Sequence, residues 1–125
     1  MKMIYMNIYI AHSTEFDYKK ELYDLIRQSG FNLEHKFILP HENSDEKFSS
    51  KEFFKNGCDL VIAEISYAST GMGIELGWAN MFDIPIVCIY KKGSVLSRSL
   101  EEVCGEMIEY DNDIENVINK LLVNF

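Results

Sequence analysis

Long apolar runs are missing from this sequence. Nothing in its 125 residues approaches the length needed to cross a membrane. The apolar opening, MKMIYMNIYIAH, is short, is interrupted by Tyr5, Asn7 and Tyr9, and is followed by no small-residue cleavage site. It reads as a strand rather than a signal peptide. Positive charge is scarce: 12 Lys and Arg against 20 Asp and Glu leave a formal net charge of -8. A broad nucleic-acid-binding face needs clustered cations, so a nucleic-acid polymer is not an expected partner. A small anion held by backbone amides and hydroxyls stays open. Cysteine is rare and odd in number. Cys58, Cys88 and Cys104 are expected to be free thiols in a reducing cytosol. His12, His35 and His41 are scattered, with no cysteine at finger-like spacing, so no metal centre is expected. These absences predict a cytoplasmic protein without a membrane partner.

Internal repeats, low-complexity tracts and linkers are also absent, so one domain over residues 1–125 is expected. The hydrophobic fraction of 47% and the charged fraction of 26% suit an ordinary globular core. What is present is alternation. Met3–Ile10 predicts a strand, and Ser13 caps a helix to about Ser29 with Phe16, Leu22, Leu25 and Ile26 as its apolar stripe, ended by Gly30. Asn32–Leu39 predicts a second strand stopped by Pro40. The polar stretch HENSDEKFSS is a loop, and Ser50 caps a short helix, KEFFKN. Asp59–Ile65 is almost continuously apolar, as a strand buried on both faces should be. A helix over Gly71–Phe82, a strand over Ile84–Tyr90, a turn at Lys91–Gly93, a helix over Val95–Cys104, a strand over Glu106–Tyr110 and a helix over Asp111–Val123 complete the chain.

This order predicts an α/β fold: a three-layer sandwich with a five-stranded parallel sheet, doubly wound in the flavodoxin-like or Rossmann-like manner. Such folds bind ligands beyond the carboxyl ends of the strands. The loop after the third strand, SYASTGMGIELGWA, then draws notice. Gly71 and Gly73 allow a tight turn and close approach of a ligand, and Ser69 and Thr70 add hydroxyls beside the free N–H groups of a helix start. Together they suit an anion such as a 5′-phosphate, although a plain strand-to-helix turn also accounts for the glycines. Glu75 sits among Ile74, Leu76, Gly77, Trp78 and Ala79, an apolar context. A carboxylate there could complement the helix dipole or attack an anomeric carbon. Glu64 reads as a polar group emerging at the sheet edge. Taken singly, Tyr9 reads as a strand aromatic, Ser13 as a helix cap and His41 as an exposed loop residue.

The segment CDLVIAEISYASTGMGIELGWA resembles the signature of the nucleoside 2-deoxyribosyltransferase family: a buried strand ending in Ala-Glu, a short loop, then Gly-x-Gly-x-Glu-Leu-Gly-x-Ala. The resemblance extends over almost the whole chain, through IYIAHSTEFDY and the late loop KKGSVLSRSL. It implies cleavage of an N-glycosidic bond, with Glu75 as the nucleophile that forms a glycosyl–enzyme intermediate. Transferases of the family carry an aspartate six residues before the nucleophile. The branch of 2′-deoxynucleoside 5′-monophosphate N-hydrolases and cytidylate N-hydrolases carries a serine that contacts the 5′-phosphate, and this chain has Ser69. An aspartate would repel a phosphate, whereas a hydroxyl and helix-start amides would hold it.

By the same resemblance Tyr9 and Ser13 line the sugar-phosphate pocket, His41 falls where the hydrolase branch carries a histidine, and Ser97 reaches across a dimer interface. A homodimer or higher homo-oligomer is implied, and neither a metal nor an organic cofactor. The chain departs from the pattern at Thr14, Glu15 and Phe16, where the hydrolase branch carries an arginine. In SSKEFFKNG only Glu52 offers a carboxylate for proton transfer to the leaving base. The sequence therefore points to hydrolysis of a nucleoside 5′-monophosphate. The alternatives are a transferase moving deoxyribose between bases, a catalytically silent nucleotide sensor, and a flavodoxin-like interaction domain that binds no nucleotide.

Overall fold

Apolar residues dominate five short segments, and each becomes a strand of one sheet. The structure is a computed structural model and describes residues 4–43 and 48–125. Strands β1 (Asn7–His12), β2 (Lys36–Ile38), β3 (Leu60–Glu64), β4 (Ile86–Lys91) and β5 (Glu106–Tyr110) lie in the order β2-β1-β3-β4-β5. Every neighbouring pair is parallel. This is the flavodoxin-like order, whose winding reverses between β1 and β3 and leaves a crevice at their carboxyl ends.

Side chains alternate along a strand, so the sheet carries two cores. On one face Ile8, Ile10, Leu60, Ile62, Val87 and Ile89 meet Ile26 of α1 (Asp24–Gln28) and Val117, Ile118 and Leu121 of α4 (Ile114–Val123). On the other, Tyr9, Ala11, Val61, Ala63 and Ile86 meet Phe54 of α2 (Ser50–Asn56) and Met72, Leu76 and Ala79 of α3 (Thr70–Met81). Helices on both faces complete the expected three layers.

Element ends differ from the sequence reading where side chains compete for the backbone. The first helical stretch starts at Lys19 rather than Ser13, as a π-type turn (Lys19–Tyr23) that runs into α1. The buried Ser13 hydroxyl accepts the Glu15 N–H, at 3.0 Å, which holds a local turn instead of a helix end. At the other end Ser29 stops the helix, its hydroxyl donating to the Ile26 carbonyl at 2.8 Å, and Gly30 opens a 3₁₀ turn, Gly30–Leu33. Ser49, not Ser50, caps α2, and Ser69 caps α3. Residues 95–104, expected as a helix, give only a 3₁₀ turn, Arg98–Glu102. Met3 and Ser44–Lys47, assigned above to a strand and a loop, lie outside the described residues.

The thiol expectation is also corrected. Cys88 and Cys104 are joined in a disulfide across 16 positions of sequence, and Cys58 alone is free. Cys88 is a buried β4 residue and Cys104 precedes β5, so parallel pairing of β4 and β5 brings the two sulfurs together. Alkylation of the unfolded, unreduced protein should label one thiol, and after reduction three. For a closed loop of this length, reduction should lower the unfolding free energy by about 3 kcal/mol in a denaturant titration.

Candidate active site

Five parallel strands end along one edge, and the loops after β1, β3 and β4 meet there. The loop after β3 is short, and Ser69 turns it into α3 with an extended backbone. Its hydroxyl accepts the Met72 N–H at 3.3 Å, which satisfies one of the free donors of the first turn. Beside this helix start lies a cleft of about 410 Å³. Tyr67, Ser69, Thr70 and Gly73 form one wall, and Val95, Ser97 and Ser99 the other. Hydroxyls supply its polarity, and among the described residues no charged side chain lines it.

Successive residues of an α-helix turn by about 100°. Ser69 and Gly73 therefore share one flank of α3, and Gly71 and Glu75 share the opposite one. On that second flank the Tyr9 hydroxyl donates to Glu75 Oε2 at 2.5 Å. Tyr9 is fully buried, with its ring edge-on to Phe54 at 4.9 Å and stacked on Phe48 at 5.9 Å. Burial, and then the Glu75 charge, push the Tyr9 hydroxyl far above its ordinary range, so it stays a donor. The half-buried Glu75 is thus held at one oxygen. Among the described residues its carboxylate accepts no other hydrogen bond.

Ser69, Gly73 and Ser97 line the cleft, then, while Tyr9, Gly71 and Glu75 gather on the far side of the first turn of α3. Neither Gly71 nor Gly73 has a positive φ, so the tight turn expected of them is not what they supply. A Cβ at either would meet nothing within 4 Å. They leave bare backbone facing open space. Ser13 does not join the cleft: it is 1% exposed. His41 is exposed and joins a different group. Glu52 is exposed on α2 and accepts from Asn56 of the same helix at 3.4 Å, so it is not directed at Glu75.

Two buried polar groups escaped the sequence reading. The His12 Nδ1 lies 2.8 Å from the Ser13 carbonyl. A carbonyl only accepts, so Nδ1 is assigned the proton. Nε2 then accepts from the Tyr23 hydroxyl at 2.6 Å, whose oxygen accepts the His41 backbone N–H at 3.0 Å. Burial is the main cause that lowers the His12 pKa to about 4, with a smaller contribution from His41. The available signal was alternation, since His12 follows Ile8 and Ile10 on an inward face. The second group is Glu64. It does not emerge at a sheet edge as expected: β3 is the central strand and Glu64 is 1% exposed. Its carboxylate is filled by Ser66 and Tyr110.

Among the described residues no three His, Cys, Asp or Glu side chains gather in a way that could hold a metal ion, and no helix is long and apolar enough to cross a membrane.

Because folding lowers the His12 pKa from 6.5 to about 4, the unfolded chain binds the proton more tightly. The His12 contribution is complete above pH 6.5 and is lost as pH falls toward 4. Between pH 7 and pH 5 the loss should be about 2 kcal/mol. Urea titrations at both pH values should show this fall in the wild type, and His12→Gln should lack that part of it.

No protein-family model and no curated protein matches the chain in sequence. Solved structures do match its fold. A CMP N-glycosidase, BcmB, from Clostridium botulinum is 24% identical over 92% of this chain and 97% of its own, with a TM-score of 0.61. A conserved protein from Enterococcus faecalis V583 is 19% identical over 94% of this chain and 99% of its own, with a TM-score of 0.66. A signal receiver domain from Vibrio parahaemolyticus is 12% identical over 97% of this chain and 92% of its own, with a TM-score of 0.58. A glycosidase and a signal receiver share this architecture, so the fold is common to unlike functions and the site must carry the functional argument.

Proposed function

We propose that residues 1–125 form one nucleoside 2-deoxyribosyltransferase-like domain that hydrolyses the N-glycosidic bond of a nucleoside 5′-monophosphate. The observation that carries this reading is the Glu75 carboxylate, held at one oxygen by Tyr9, one helical turn from a cleft lined by hydroxyls. The resemblance of SYASTGMGIELGWA to the family signature, and the fold shared with a CMP N-glycosidase, support it.

In this reading the nucleotide straddles the first turn of α3. Its phosphate enters the cleft and accepts hydrogen bonds from Ser69, Thr70 and the helix-start N–H groups. Its sugar crosses the bare backbone at Gly71 and Gly73 and sets C1′ against Glu75. Tyr9 fixes one carboxylate oxygen and Oε1 attacks C1′. The C1′–N bond breaks, and the base leaves with the bonding pair and takes up a proton. Water then attacks C1′, gives up a proton and frees Glu75, so configuration is retained. Ser69, unlike an aspartate, tolerates the phosphate, which favours hydrolysis of a monophosphate over sugar transfer from a nucleoside. Ser97 is exposed and lines the cleft of its own subunit; in a cytoplasmic homodimer it would also reach the phosphate site of the second subunit. Ser13 and His41 take part only through the β1 loop that they anchor. A second reading, a nucleotide sensor without turnover, draws on the Thr14–Phe16 segment, which offers the phosphate no arginine.

Base release from a panel of nucleoside 5′-monophosphates and unphosphorylated nucleosides, followed by chromatography, tests both readings. Release from monophosphates that falls at least about 10³-fold in Glu75→Ala is the expected outcome. Release only from nucleosides overturns the assignment of Ser69, and nucleotide binding without release selects the sensor. Gly73→Ala separates binding from folding. It should raise stability by about 0.5–1 kcal/mol through helix propensity, and raise KM for the monophosphate by placing a methyl group in the cleft. Thermal unfolding and steady-state kinetics on one preparation read both effects.

A further inference from the structure

Glu64 ends the central strand, is 1% exposed, and has no part in the chemistry proposed above. A buried carboxylate is costly unless several donors satisfy it, and an apolar side chain of similar size would pack there at less cost. The donors show what the carboxylate does. Oε1 accepts the Ser66 N–H at 2.6 Å, Oε2 accepts the Ser66 hydroxyl at 2.8 Å, and Oε2 also accepts the Tyr110 hydroxyl. The Ser66 oxygen in turn accepts the Lys91 N–H at 2.8 Å. One side chain therefore ties the ends of β3, β4 and β5 together. It grips the chain at the residue where the loop after β3 begins.

That loop is short. Only Ser66, Tyr67 and Ala68 separate Ile65 from the cap residue Ser69, and Tyr67, Ala68 and Ser69 all line the cleft. The loop is also held by the stacking of Tyr67 on Phe16, with ring centroids 5.1 Å apart, and by the Lys91 ammonium 6.0 Å over the Tyr67 ring. The Tyr110 hydroxyl, raised far above its ordinary range by burial and then by Glu64, remains a donor.

We infer that Glu64 is a positioning residue: its carboxylate fixes the Ser66–Ser69 loop, and so the wall of the cleft that receives the 5′-phosphate, without touching the ligand. The inference rests on the reading of the cleft as a phosphate site. Removing the charge should loosen that wall and leave Glu75 and Tyr9, on the opposite face of the sheet, in place.

Glu64→Gln tests this, since it keeps the shape and one acceptor but turns an amide N–H₂ toward two hydroxyls. Kinetics with a monophosphate that the wild type cleaves, and with the matching nucleoside, are read beside amide hydrogen exchange. KM for the monophosphate should rise about tenfold, the size of one lost charge-assisted hydrogen bond. The kcat should stay within about twofold, the nucleoside KM should not move, and exchange should quicken only over residues 66–73. Glu64→Asp should recover part of the KM. If Glu64→Gln does not fold, Tyr110→Phe removes one donor alone and should give a smaller KM effect of the same sign. An unchanged KM, or equal losses on both substrates with faster exchange throughout the sheet, would overturn the inference. If the wild type releases no base from any substrate, the functional reading fails separately. The exchange data then decide: quickening confined to residues 66–73 upholds the loop's dependence on Glu64, and no quickening overturns it.

Discussion

The pairing of β1 with β3 sets Tyr9 beside Val61 and His12 beside Glu64, and the placement of every polar group at this edge depends on that register. Alternation then separates the groups by face. Tyr9 points toward α2 and α3, where its hydroxyl reaches Glu75. His12 and Glu64 point the other way, toward α1 and α4. A slip of one residue would exchange the two sets and bury Tyr9 against Leu22 and Ile26. The apolar residues that flank each polar one, Ile8 and Ile10 on one face and Ala11 and Ala63 on the other, make that slip costly. The same hydrophobic pattern that assembles the sheet thus aims its chemical side chains.

Two glutamates, eleven positions apart, show how surroundings divide one residue type into two roles. Glu64 is sealed at a strand end, and its oxygens hold three donors from Ser66 and Tyr110. A carboxylate so occupied has little capacity left for a ligand. Glu75 is half-buried on a helix flank and is held at one oxygen by Tyr9. That arrangement fixes its direction and leaves an electron pair free. Burial with full satisfaction leaves a carboxylate no spare capacity, and partial burial with one donor leaves the free oxygen that the proposed chemistry requires.

The parallel sheet was legible because two-sided burial demands runs such as LVIA in β3, and a run of that kind has few other homes, whereas the strand order was not read from the sequence. The cleft was legible through Ser69, Gly73 and Ser97, whose loops follow adjacent strands. Helix ends were less so. Ser13, Ser29, Ser49 and Ser50 are all good capping residues, and which of them caps depends on where the chain is already held. Glu64 looked like an edge residue because its donors come from residues 2 and 46 positions away. The disulfide was hidden for a related reason. Cys88 and Cys104 meet only because β4 and β5 pair, which an odd cysteine count cannot reveal.

In the proposed reading the cleft makes a physical demand on its phosphate-bearing ligand. It has hydroxyls and the start of a 12-residue helix, but no cation among its described lining residues, in a chain whose net charge is -8. The long-range field therefore opposes an approaching dianion, and attraction arises only within reach of the helix-start amides. Recognition of this kind depends on hydrogen-bond direction rather than on charge, and direction requires rigid donors. That requirement falls on the short loop between β3 and α3. It accounts for a chain that spends a fully buried carboxylate on the first residue of that loop, where an apolar side chain would otherwise pack.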